Sequence, residues 1–139
     1  MNVLITGGHV TPALAVIDEL QKKKVTMVFV GRRYAQSGEQ SESYEYSEVV
    51  TRKVPFIHLE TGRFIRILSV RSVIELAKAL RGLLQSFSIL SRQKPDIVLS
   101  FGGYIGLPVA FAARLRGVPV YIHEQTLIPG LSNRLINPE

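Results

Sequence analysis

Residues 4 to 20 read LITGGHVTPALAVIDEL, an apolar strand-like run that passes through Gly7, Gly8 and His9 into an apolar helix-like run. No other stretch restricts the fold as much. NVLIT (2–6) has the continuous apolar character of a buried strand, and VTMVFVG (25–31) repeats it. Between them Thr11 is placed to cap a helix and Pro12 to take its first position, where a missing N–H costs nothing. Ala13, Val16, Ile17 and Leu20 recur on one helical face, and Lys22 to Lys24 fall in the last turn. Strand, glycine turn, helix and strand within about thirty residues make a βαβ unit.

The rest of the chain extends that unit. Residues 33–48, RYAQSGEQSESYEYSE, are polar without a sustained period and read as a loop. VPFIHLET (54–61) predicts a short strand. Apolar residues at 73, 76, 77, 80, 83, 84 and 87 predict an apolar face on a helix from Ser72 to about Arg92. PDIVLSF (95–101) reads as a strand, GLPVAFAARLRG (106–117) as a helix closed by a glycine, and VPVYIHE (118–124) as a strand. Strands alternating with helices imply an α/β fold, a parallel sheet covered on both faces, whose ligands lie beyond the carboxyl ends of the strands. Three stretches follow strands at that edge: TGGH (6–9), FGGY (101–104) and HEQT (123–126). At 139 residues, with 46% apolar and 20% charged residues, the chain is one globular domain.

Charge narrows the partners. The net charge is +6, and the segment from Gly62 to Lys94 carries seven basic residues against one acidic, so the whole excess lies there. A localised basic surface points to an anionic partner: nucleic acid, anionic lipid or a phosphorylated substrate. Within GRFIRILSVR (62–71), Phe64, Ile65, Ile67 and Leu68 alternate with Arg63, Arg66 and Arg71, and Lys78 and Arg81 follow. Either the apolar residues cover the sheet while the arginines stay wet, or the segment lies on a membrane, with arginines on anionic headgroups. The membrane reading fits better, and nucleic acid is the poorer fit because stacking aromatics are few. No apolar run reaches the ~18–20 residues of a spanning helix, and no leader pattern opens the sequence, which predicts a cytoplasmic location. There is no cysteine, and the three histidines lack metal-ligand spacing, so no metal site is expected.

Glycines let backbone amides approach a ligand, and a helix N-terminus favours negative charge, so Thr6 to His9 suit a diphosphate or a developing oxyanion; equally, they make a tight turn needing positive φ. His9 is either a general base or a structural hydrogen-bonder. Glu124 could orient a substrate hydroxyl or cap the next helix, and Asn133 either faces a ligand or stays solvated.

TGGHVTPALAV (6–16), PDIVLSFGGY (95–104) with GLPVAFAA (106–113), and GVPVYIHEQTLIPGLSNR (117–134), in this order, resemble the MurG-like glycosyltransferases of family 28. The likeness spans the chain but only the N-terminal half of such an enzyme. It implies the N-terminal Rossmann-like domain of a GT-B fold, residues 1–139, which receives the acceptor and docks on the membrane. The C-terminal donor-binding domain is expected to be absent, and the fragment alone inactive. The implied reaction is metal-independent and inverting. It transfers N-acetylglucosamine from UDP-N-acetylglucosamine to the 4-hydroxyl of an undecaprenyl-pyrophosphoryl muramoyl-pentapeptide, the step from lipid I to lipid II in peptidoglycan synthesis, on which cell shape and division depend. By the same resemblance His9 is the base, and Thr6, Gly7, Gly8 and Thr126 lie near the donor diphosphate. Gly102, Gly103, Tyr104, Glu124, Gln125 and Asn133 lie on the acceptor side. The enzyme would sit peripherally on the cytoplasmic face of the cell membrane through Arg63, Phe64, Ile65, Arg66, Ile67, Leu68, Arg71, Lys78 and Arg81. The sequence departs from the family where Leu4-Ile5 replace two glycines and Thr126 replaces an asparagine. The alternatives are a stand-alone, non-catalytic subunit that recruits a separate donor-binding protein to the membrane, and an unrelated nucleotide-binding module.

Overall fold

β1 (Asn2–Thr6) is the central strand, paired in parallel with β2 (Thr26–Gly31) on one side and β4 (Ile97–Ser100) on the other. β3 (Phe56–His58) extends the sheet beyond β2 and β5 (Val120–Ile122) beyond β4, giving the all-parallel order β3-β2-β1-β4-β5. The computed structural model describes residues 1–34, 41–61 and 70–123, with only the backbone of residues 70–72.

Successive side chains of a strand point to opposite faces, and here both faces are covered, which is why the central strands are apolar throughout. Val3, Ile5 and Phe29 pack under α1 (Val10–Lys22) and α2 (Tyr44–Thr51), with Ala13, Leu14, Ile17 and Val49. Leu4, Val28, Val30 and Val98 pack under α3 (Val70–Gln93) and α4 (Gly103–Leu115), with Ile89, Leu90, Ile105, Val109 and Ala112. The chain runs outward from β1 to β3, crosses to β4 and runs outward the other way. The order therefore reverses between β1 and β4.

Several local expectations shift. Helix α1 begins at Val10 with His9 as its cap residue, extended at φ −96° and ψ 107°, so Thr11 is not the cap and Pro12 is the third helical residue. Pro12 is still harmless, because first-turn amides lack helical partners. The loop expected over 33–48 gives way, from Tyr44 on, to α2, capped where the Ser43 hydroxyl accepts the Tyr46 amide at 3.1 Å. Its inward residues are Glu45 and Val49, so no apolar period betrayed it. Helix α4 starts three residues earlier than expected, at Gly103, and ends as expected before a left-handed glycine, Gly117 at φ 70°.

Helix α3 forms where the period placed it, but its apolar face divides. Toward the C-terminus Ile89 and Leu90 are buried, whereas Val73, Ile74, Leu76, Leu80 and Leu84 are each more than half exposed. Apolar spacing makes a helix amphipathic without deciding what covers the stripe.

Candidate active site

In a parallel sheet the point where strand order reverses opens a crevice at the carboxyl ends. Here it is flanked by Thr6-Gly7-Gly8-His9 after β1 and Phe101-Gly102-Gly103-Tyr104 after β4. The two turns touch. The His9 amide donates to the Phe101 carbonyl at 3.1 Å, and a Cβ on Gly8 would lie 2.3 Å from the Gly102 carbonyl oxygen. Gly8 also sits at φ 152°, and Gly102 and Gly103 at φ 78° and 71°, a conformation side chains resist. Beneath them the buried Thr6 hydroxyl donates to Ser100 Oγ at 3.3 Å, tying the strand ends together.

The third turn leaves the sheet at the same rim. The His123 amide donates to the Ser100 carbonyl at 2.8 Å, and its ring lies 5.4 Å from that of Phe101. Glu124, Gln125, Thr126 and Asn133 lie outside the described residues.

The first turn suits either a diphosphate or developing oxyanion, or a tight turn that needs positive φ. The Gly7 amide donates to the Val30 carbonyl at 2.9 Å and the His9 amide to the Phe101 carbonyl, while the Gly8 amide favours the charged form of Glu45. The glycines are there for clearance. His9 itself is half-buried at the head of α1, and its side chain makes no capping bond. Gly103 opens α4, and the half-buried Tyr104 ring packs on the core with the Arg32 guanidinium 5.6 Å above it.

Glu45 and Arg32 are site residues that the sequence reading missed. Glu45 lay in a polar run, where glutamate is ordinarily solvated. In the structure it is 9% exposed and its Oε2 accepts the Arg32 amide at 3.1 Å. Burial pushes its carboxyl above the ordinary 4.5, opposed by the Arg32 and Gly8 amides and by the Arg32 charge. A carboxyl that holds its proton more tightly when folded takes up protons on folding between 4.5 and its raised value. Stability must therefore fall as pH rises through that window. Urea unfolding from pH 4.5 to 8 is expected to show wild type losing stability relative to Glu45→Gln as pH increases. A flat difference would contradict the burial effect.

Among the described residues no group of three or more His, Asp or Glu side chains could hold a metal ion, and no helix is long and apolar enough to cross a membrane. Of the residues expected at a membrane, Arg63 to Leu68 lie outside the described residues and Arg71 is placed only by its backbone on α3. Lys78 is exposed, 3.1 Å from Glu75, and Arg81 is exposed, 3.5 Å from Glu60. They flank the exposed apolar stripe of α3, an unusual surface for a domain in water alone.

Strand order and the touching glycine turns at the switch point define a Rossmann-like domain. Residues 6–138 match the glycosyltransferase family 28 N-terminal domain, and the chain belongs to that family. It is 33% identical over 141 residues to the UDP-N-acetylglucosamine–N-acetylmuramyl-(pentapeptide) pyrophosphoryl-undecaprenol N-acetylglucosamine transferase of Clostridium kluyveri, covering 99% of this chain and 38% of that protein. The protein of the same name from Clostridium botulinum is 34% identical over 133 residues, covering 96% and 35%. The crystal structure of MurG from Acinetobacter baumannii superposes with a TM-score of 0.75 at 26% identity, over 99% of this chain and 38% of that one. UDP-GlcNAc 2-epimerase from Neisseria meningitidis shares the fold alone, with a TM-score of 0.59 at 20% identity over 98% of this chain and 38% of that one. The sheet is the Rossmann-like N-terminal half of a GT-B glycosyltransferase, and the chain spans less than two-fifths of the length of these relatives.

Proposed function

We propose that this chain is the acceptor-side, membrane-facing domain of an inverting, UDP-N-acetylglucosamine-dependent transferase acting on a lipid-linked muramoyl-pentapeptide. The observation that carries this reading is the meeting of two glycine turns at the switch point with His9 at the head of α1 beside them. His9 takes the proton of the acceptor 4-hydroxyl as that oxygen attacks the anomeric carbon. The bond to UDP breaks on the opposite side, the diphosphate leaves with the electron pair, and configuration inverts. Thr6, Gly7 and Gly8 form the donor-side wall by close approach of backbone, and Thr126 also serves the donor diphosphate. Gly102, Gly103 and Tyr104 serve the acceptor, with Glu124, Gln125 and Asn133. The amino end of α4 favours the acceptor's pyrophosphate, and the Arg32 charge over Tyr104 adds to it. Uridine recognition falls to a C-terminal donor domain. No metal takes part.

The test is a fusion of residues 1–139 to the C-terminal remainder of the C. kluyveri relative. It is expected to convert lipid I to lipid II, whereas the 139-residue chain alone is not. A folded but inactive fusion would refute the reading.

The same reading places the domain on the cytoplasmic membrane face through residues 63–68, Arg71, Lys78, Arg81 and the leucines of α3. The chain is expected to bind vesicles containing anionic phospholipid and to leave them as salt rises, since screening shortens to about 8 Å at 0.15 M. Leu76→Glu with Leu80→Glu is expected to weaken binding at all salt concentrations. Equal binding to neutral and anionic vesicles at low salt would count against it.

A further inference from the structure

Two amides of the first turn, those of Gly7 and His9, have acceptors inside the protein, the backbone carbonyls of Val30 and Phe101. The Gly8 amide instead favours the charge of a side chain from α2, the Glu45 carboxylate. Four backbone residues are shaped around that carboxylate. Its Oε2 takes the Arg32 amide at 3.1 Å, and the Gly8 amide favours its charged form. A Cβ on Gly7 would lie 1.8 Å from Oε1, and one on Gly31 2.5 Å from Oε2. Burying a charge is costly, and a neutral acceptor could cap one amide without that cost. A carboxylate offers two acceptor oxygens and no donor, which suits two amides converging from different strands.

We propose that Glu45 is a positioning residue for His9, its carboxylate clamping the turn after β1 to the end of β2 so that His9 is presented at the crevice in one orientation. With the Glu45 carboxylate set against Gly7 and Phe101 holding the His9 amide, the head of α1 has little freedom. What the clamp serves rests on the transferase reading; the clamp itself does not.

The experiment is NMR on the 139-residue chain and its Glu45→Gln variant. Glutamine keeps the shape but puts an NH₂ where one amide needs an acceptor. The Arg32 amide is expected to exchange at least about tenfold faster, because a bond to a charged acceptor is lost, and the Gly8 amide and His9 ring signals to move while the amides of α3 keep theirs. Unchanged Gly8 and His9 signals overturn the proposal, and so does a change that spreads equally to α3, which would mean general loosening. Should the variant not fold, acid titration of wild type decides. The Gly8 and His9 amide signals must follow the Glu45 carboxyl through one midpoint, and independent midpoints overturn it. In the fusion, Glu45→Gln is expected to lower kcat about tenfold with donor KM within about twofold. If the wild-type fusion is inactive, the transferase reading fails while the NMR result still stands or falls by itself.

Discussion

Gly8→Ala is expected to lower the melting temperature of the chain by roughly 10–20 °C, a cost of about 3–5 kcal/mol. Two penalties add. The first is conformational: Gly8 sits at φ 152°, where a residue with a Cβ carries about 1–3 kcal/mol of strain. The second is steric: the new carbon would lie 2.3 Å from the Gly102 oxygen and 2.6 Å from both the Gly102 carbonyl carbon and the Phe101 oxygen. These are backbone atoms, and the His9 amide already holds the Phe101 carbonyl, so nothing flexible can yield. Overpacking of this kind typically costs about 1–3 kcal/mol. Gly117→Ala is the control. Gly117 also has positive φ, at 70°, but nothing lies within 4 Å of its Cβ position, so only about 1 kcal/mol of strain is expected. Thermal unfolding followed by circular dichroism compares the two. Equal losses would mean that the two glycine turns do not touch in solution.

His9→Ala in the fusion enzyme is expected to reduce kcat by about 10²–10⁴-fold, the usual contribution of a general base. Stability should hardly change. The His9 side chain makes no capping bond, and what fixes the head of α1 is the backbone amide, which alanine keeps. That separation makes the measurement decisive, because lost activity cannot be blamed on an altered crevice. A fall of less than about threefold would remove His9 from the chemistry and leave the hydroxyl proton to go directly to solvent.

Much of the fold was legible because its signals are local. Val3, Leu4 and Ile5 announce a strand buried on both faces, and Gly117 announces the end of a helix through a conformation that glycine alone adopts cheaply. Helix α2 escaped because a buried glutamate looks, in sequence, like a solvated one. Only the pairing of β1 with β2, which brings Gly7 beside Gly31, creates the place where that carboxylate is needed. The apolar stripe of α3 was read correctly as a stripe, but spacing fixes which residues share a face and not whether α4 and the sheet reach it.

From residue order alone came the parallel α/β architecture, the two glycine turns, the histidine between strand and helix, and a basic segment joined to apolar residues. Local periodicity and backbone preference suffice for these. The tertiary structure decided that turns carried by Thr6 and Ser100, ninety-four residues apart, close on one another, that the Gly7 and His9 amides of the first are spent on the protein, and that Glu45 stands beside it. Those facts depend on which strands become neighbours, and neighbours in a sheet are chosen by burying both faces of the whole chain at once.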